Sequence, residues 1–129
     1  MATTLRGVRG ATTVAENTEE AVLAATRRLL RAMIKANAID PNDVASVLLT
    51  TTPDLTAIFP AVAARQLGWI NVPLMGAQEA PIVGALPMCV RALIHLNTDK
   101  RADEIQHIYL DGAASLRGAV PPIPDGEEE

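Results

Sequence analysis

A chain of 129 residues with a formal net charge of −4 has room for one domain. Its scattered basic residues and its few aromatics, Phe59, Trp69 and Tyr109, exclude the basic, aromatic-lined surface that nucleic acid demands. Apolar residues reach 49%, too many for a disordered chain and enough for a core built from Val, Leu, Ile and Ala. The single cysteine, Cys89, rules out an internal disulfide and fits a reducing compartment. No secretion signal and no apolar run of about 20 residues is present, so no membrane partner is predicted and the expected location is the cytoplasm.

In chain order, residues 3–8 read as a first strand. In it and directly after it Arg6 and Arg9 stand beside Gly7 and Gly10, although strand-like stretches seldom hold charge and glycine weakens them. Asn17 offers a helix N-cap, with Glu20 three residues on. Val22, Ala25, Leu29, Leu30, Met33 and Ile34 then recur at helical spacing, interrupted only by Thr26, and Arg27, Arg28, Arg31 and Lys35 mark the wet side. Asp40 to Asp43 start a short helical turn with Pro41 at its first position. Residues 44–51 form a β-branched strand, and 59–68 a short helix closed by Gly68. Pro73 makes the strand at 71–80 irregular or places it at an edge. The apolar run at 83–97 reads as a second helix with Pro87 in its first turns. Residues 104–110 alternate as a strand should. The whole is an α+β (α/β-like) chain, a sheet with helices against it. Residues 1–117 are expected to form the domain, and 118–129 a mobile, proline-rich, acidic tail.

Few residues invite chemistry. His95 and His107 lie on different elements, and no metal spacing connects them with Cys89. The glycine pair Gly7 and Gly10 is too short for a dinucleotide loop, and neither a Walker motif nor a nucleophile triad is legible. No cofactor and no metal is therefore predicted. What remains is Arg9, Arg65, Arg91 and Arg117 in apolar or strand surroundings, with Glu79 ending an apolar strand. One reading makes these surface arginines and a structural ion pair. The other makes them a pocket for a small polycarboxylate, gripped by guanidinium forks that stay charged at any working pH. Glycine next to Arg9 would let such a ligand approach the backbone.

The segments "RGVRGATT", "NTEEAV", "TTPDLTAIFPAVAAR", "CVRALIHLNTD" and "IQHIYLDGAASLR" occur in an order and spacing that resembles the monofunctional chorismate mutases of the trimeric, pseudo-α/β-barrel type, from about Leu5 to Arg117. The resemblance implies a mixed sheet flanked by helices, a homotrimer with active sites between subunits, and conversion of chorismate to prephenate on the way to phenylalanine and tyrosine. That intramolecular Claisen rearrangement requires no cofactor. The resemblance implies that Arg9 grips a substrate carboxylate with Tyr109 beside it, that Arg91 meets the ether oxygen of the breaking bond, and that Glu79 accepts from the ring hydroxyl. It implies further that Phe59, Ala61 and Arg65 are lent by a neighbouring subunit, that Leu74 and Met75 form a pocket wall, and that Leu116 and Arg117 begin a C-terminal segment near the site. Val62 stands where a lysine can occur and Gly76 where a cysteine can, departures that bear on affinity and leave the reaction type unchanged. Arg6 receives no role. Two rivals carry a different chemistry: a reactive-imine deaminase of related trimeric architecture, and a non-catalytic trimer that binds an aromatic-pathway metabolite.

Overall fold

The first strand runs beyond its expected end. In the computed structural model, which describes residues 3–117 and 124, β1 spans Thr4–Thr13. It is followed by α1 (Glu19–Asn37), β2 (Val44–Thr51), α2 (Ala61–Gln66), β3 (Leu74–Gln78), β4 (Cys89–Thr98) and β5 (Ile108–Tyr109). Short 3-10 turns occupy Pro41–Asp43, Ala102–Glu104 and Asp111–Arg117. The tail expected at 118–129 lies outside the described residues, apart from Pro124.

The five strands form one mixed sheet in the order β3-β2-β4-β1-β5. β4 is antiparallel to both β1 and β2, while β3 and β5 are parallel edge strands beside β2 and β1. β3 begins directly after Pro73 and lies at an edge, as its proline requires.

α1 covers one face of this sheet. Leu29, Leu30 and Met33 are fully buried against Val8, Leu49, Ala92 and Ile94, each contributing roughly 1.5–3 kcal/mol by leaving water. The helix packs close because β1 presents glycine to it. A Cβ on Gly10 would stand 2.4 Å from Met33 Sδ and 3.0 Å from Leu29 Cδ1. Gly10 thus makes room for a helix on the side its Cβ would occupy, and it also lines the cavity described below. Thr26 is buried within the apolar stripe by donating its hydroxyl to Val22 O at 2.7 Å, which satisfies it locally.

Three further expectations are corrected. The N-cap is Thr18, whose Oγ1 accepts from Ala21 N, so Ala21 occupies the third helical position and no carboxylate box closes. Asn17 instead braces the loop after β2, accepting from Thr56 N and Ala57 N at 3.0 Å each. The second correction is larger. The run expected as a helix at 83–97 contains the central strand β4, preceded by Met88 in the left-handed region at φ 52°. Its burial alternates: Val90, Ala92, Ile94 and Leu96 face α1, while Arg91, Leu93 and His95 face away. A central strand that is apolar on both faces mimics helical periodicity, and pairing along both edges decides the outcome. The strand expected at 104–110 shrinks to Ile108–Tyr109, because side chains replace its ladder. Glu104 accepts from Arg101 N, and buried Asn37 clamps Gln106 N and O at 2.8 and 2.9 Å.

Candidate active site

Among the described residues no α-helix lies on the face of the sheet opposite α1, where only the 3-10 turn Asp111–Arg117 packs, through Ala113 against Ala11 and Cys89. Register places Arg91 on β4 between Ala11 on β1 and Thr50 on β2, and Arg9 opposite Leu93. Tyr109 on β5 pairs with Ala11. Small neighbours on both sides of Arg91 leave space above the strand. Arg9, Leu48, Thr50, Glu79, Arg91 and Tyr109, with Leu116 at the rim, enclose a cavity of about 220 Å³.

Each polar group is held by its element. Glu79 follows β3, its amide donating to Thr51 O at 2.8 Å, and its carboxylate accepts from the Thr50 hydroxyl. Arg91 is half-buried, and its Nε–H is buried with no hydrogen-bond partner. A buried donor without an acceptor is costly, so this one demands an acceptor from whatever fills the cavity. Among the described residues the ion pairs are Arg28–Asp111 and Arg101–Asp103, and both lie outside the cavity. Arg9, Arg91 and Glu79 therefore meet there without neutralising one another. The arrangement suits a small anion with two carboxylates and a hydroxyl.

Beside the cavity lies a small buried cluster of Cys89, Ala11 and Ala113, against which Tyr109 and Leu116 pack. Burial pushes the Cys89 thiol up, and the Arg91 guanidinium pulls it only part of the way back. Cys89 is a neutral packed thiol here, on a strand and not on the helix expected for it.

Phe59, Ala61, Arg65, Leu74 and Met75 do not line this cavity. Met75 lines a separate groove with Ser46 and His95, and Leu74 borders that groove while packing against the core. Phe59, three-quarters exposed, borders a groove between the 55–60 loop and β3. Ala61 and Arg65 stand on α2, which packs against α1 on the covered side. Arg117 ends the last 3-10 turn, whose Leu116 reaches the cavity. Arg6 donates through Nε to Lys100 O at 3.1 Å, a structural contact where no role was assigned. Thr50 and Leu48 were missed, although their alternation with Val47 and Leu49 in 44–51 carried the signal.

Comparison with known proteins bears on this geometry. Residues 5–120 match the model of the family described as chorismate mutase type I. The chain is 49% identical to chorismate mutase AroH of Thermus thermophilus over 114 residues, covering 88% of this chain and 93% of that one. It is 46% identical to chorismate mutase AroH of Bacillus subtilis (strain 168), covering 88% and 90%. The solved structure of the chorismate mutase from Clostridium thermocellum superposes with a TM-score of 0.83 at 44% identity, covering 84% of this chain and 96% of that one.

Proposed function

The chain belongs to the chorismate mutase type I family, and on that premise we propose how its cavity converts chorismate to prephenate. Arg9 grips one substrate carboxylate, with Tyr109 hydrogen-bonding beside it. Glu79, held by Thr50 through one oxygen, accepts from the ring hydroxyl. These contacts fold the enolpyruvyl chain over the ring, which is catalysis by orientation. Arg91 donates to the ether oxygen. As the C–O bond lengthens, negative charge grows on that oxygen, so the guanidinium stabilises the transition state more than the ground state. An acceleration of ~10⁶ requires ~8 kcal/mol. One preorganised donor contributes about 3–4 kcal/mol, so Arg91 supplies close to half and orientation much of the rest. The buried, unpartnered Nε–H of Arg91 carries this reading.

The active enzyme is a homotrimer, and Phe59, Ala61 and Arg65 complete the cavity of a neighbouring copy, together with Leu74 and Met75 as wall. Two features support this. A cavity of about 220 Å³ falls below the roughly 300–1,000 Å³ of a complete small-molecule site. Phe59, Met75, Ile82 and Val83 are all at least two-thirds exposed, more apolar surface than a monomer usually leaves in water. Residues 1–117 act as the single catalytic domain, with Leu116 and Arg117 bordering the site. The cytoplasm is the proposed location, supported by the lone buried thiol and, among the described residues, by the lack of a helix long and apolar enough to cross a membrane.

The direct test is loss of chorismate's ultraviolet absorbance with prephenate formed. Arg91→Ala should remove turnover while circular dichroism stays native. Undiminished turnover in that variant would overturn the assignment.

A further inference from the structure

The backbone of Arg9 is held by a side chain the rearrangement does not use. Pairing of β1 with β5 covers only Gly10–Ile108 and Ala11–Tyr109. Arg9 lies one residue before that ladder, and its amide donates to Nδ1 of His107 at 3.0 Å. An imidazole nitrogen thus stands where a strand carbonyl would continue the sheet. The bond needs the Nδ1 lone pair, so the ring is neutral with its proton on Nε2.

His107 is itself well supported. The residue before it, Gln106, is clamped through both backbone groups by Asn37. Asn37 is buried at the C-terminal end of α1 and also donates to Met33 O at 3.0 Å. A continuous path of hydrogen bonds and covalent chain therefore runs from the core helix through Asn37, Gln106 and His107 to Arg9. The side chain of Arg9 is exposed and long, so its aim depends on a fixed Cα.

We propose that His107 is a positioning residue for Arg9, its neutral Nδ1 extending the sheet by one bond so that the guanidinium meets the substrate carboxylate at a set place. This rests on the reading of Arg9 as carboxylate anchor. A carboxylate is present in substrate and transition state alike, so the contribution is to uniform binding and falls on KM.

The test compares His107→Phe, which keeps the ring shape and lacks an acceptor, with His107→Asn, whose Oδ1 sits at the same bond separation from Cα as Nδ1. His107→Phe should raise KM roughly 3–10-fold with kcat within about two-fold, and His107→Asn should return KM close to wild type. Amide exchange at Arg9, followed by NMR near pH 8 where histidine is neutral, should quicken at least ~10-fold in the Phe variant and stay protected in the Asn variant. In an Arg9→Ala background, His107→Phe should add nothing further to KM. An unchanged KM in His107→Phe overturns the proposal, as does Asn performing no better than Phe, or a KM rise that persists without Arg9. If the Phe variant does not fold, His107→Gln, whose acceptor lies too far out, replaces it in the same comparison. A wild-type KM indifferent to Arg9→Ala would overturn the anchoring reading instead, and the exchange result would stand apart from it.

Discussion

Arg91 has Ala11 on one side and Thr50 on the other, so its planar fork fills a slot that small residues leave open. An ammonium in that slot keeps the charge and loses both the plane and the Nε–H. Arg91→Lys should therefore lower kcat by ~10²-fold or more with a smaller effect on KM. Steady-state kinetics on chorismate would read this, and a near-normal kcat would remove Arg91 from the ether oxygen. Because arginine does not titrate and no general base takes part, kcat should stay level between about pH 6 and 9. A bell-shaped kcat profile there would mean that a proton moves in the slow step. Gly10 poses the opposite problem, a missing side chain that cannot be restored. Gly10→Ala drives a methyl into Met33 Sδ and should cost about 1–3 kcal/mol of stability by overpacking. Urea unfolding with an unchanged midpoint would show that α1 yields more easily than its packing suggests.

At the scale of the element, β4 depends on Met88, which precedes it, and on its first residue, Cys89. Asp54 accepts from Met88 N at 2.9 Å and from the Thr52 hydroxyl, and Thr52 Oγ1 accepts from Cys89 N at 3.0 Å. This clamp offsets the left-handed backbone at Met88 and sets where the strand bearing Arg91 begins. The Thr52 hydroxyl and then the Met88 amide hold the Asp54 carboxyl below its ordinary value near 3.8. A depressed folded value means that the contribution is complete above the unfolded pKa and is lost as pH falls through the folded one. Asp54→Asn should therefore lower Tm at neutral pH and flatten the acid limb below about pH 4. Equal acid sensitivity in both proteins would show that other carboxylates set that limb. The same element marks the limit of what the sequence discloses. α1 is legible because only one of its faces is apolar. β4 is not, because Leu93 and Ile94 are apolar on opposite faces and the period of two disappears in the run. The cavity residues Arg9, Glu79, Arg91 and Tyr109 were legible through family resemblance, carried by their spacing. Thr50 and His107 were not, since their roles come from register and from the early end of β5, which appear only once strands pair.

For the whole molecule, one face of the sheet is covered by α1 while the other, among the described residues, carries no α-helix and leaves Leu5 and Met75 unburied; Ile82 and Val83 are exposed in the loop before β4. Light scattering should report a mass of three chains, and a fully active monomer would refute the proposed assembly. The cavity opens on the face away from α1, while Arg65 stands on α2, which packs against α1. In the proposed trimer the α2 of one chain serves the cavity of a neighbour, so activity should be divisible between chains. Arg91→Ala spoils a cavity, and Arg65→Ala spoils only what a chain lends. Refolded together in equal amounts, two such strongly impaired proteins assort at random in head-to-tail rings. About a quarter of the sites then combine an intact cavity with an intact lent helix. The mixture should regain close to that fraction of wild-type turnover per site, although neither protein contributes a functional gene product by itself.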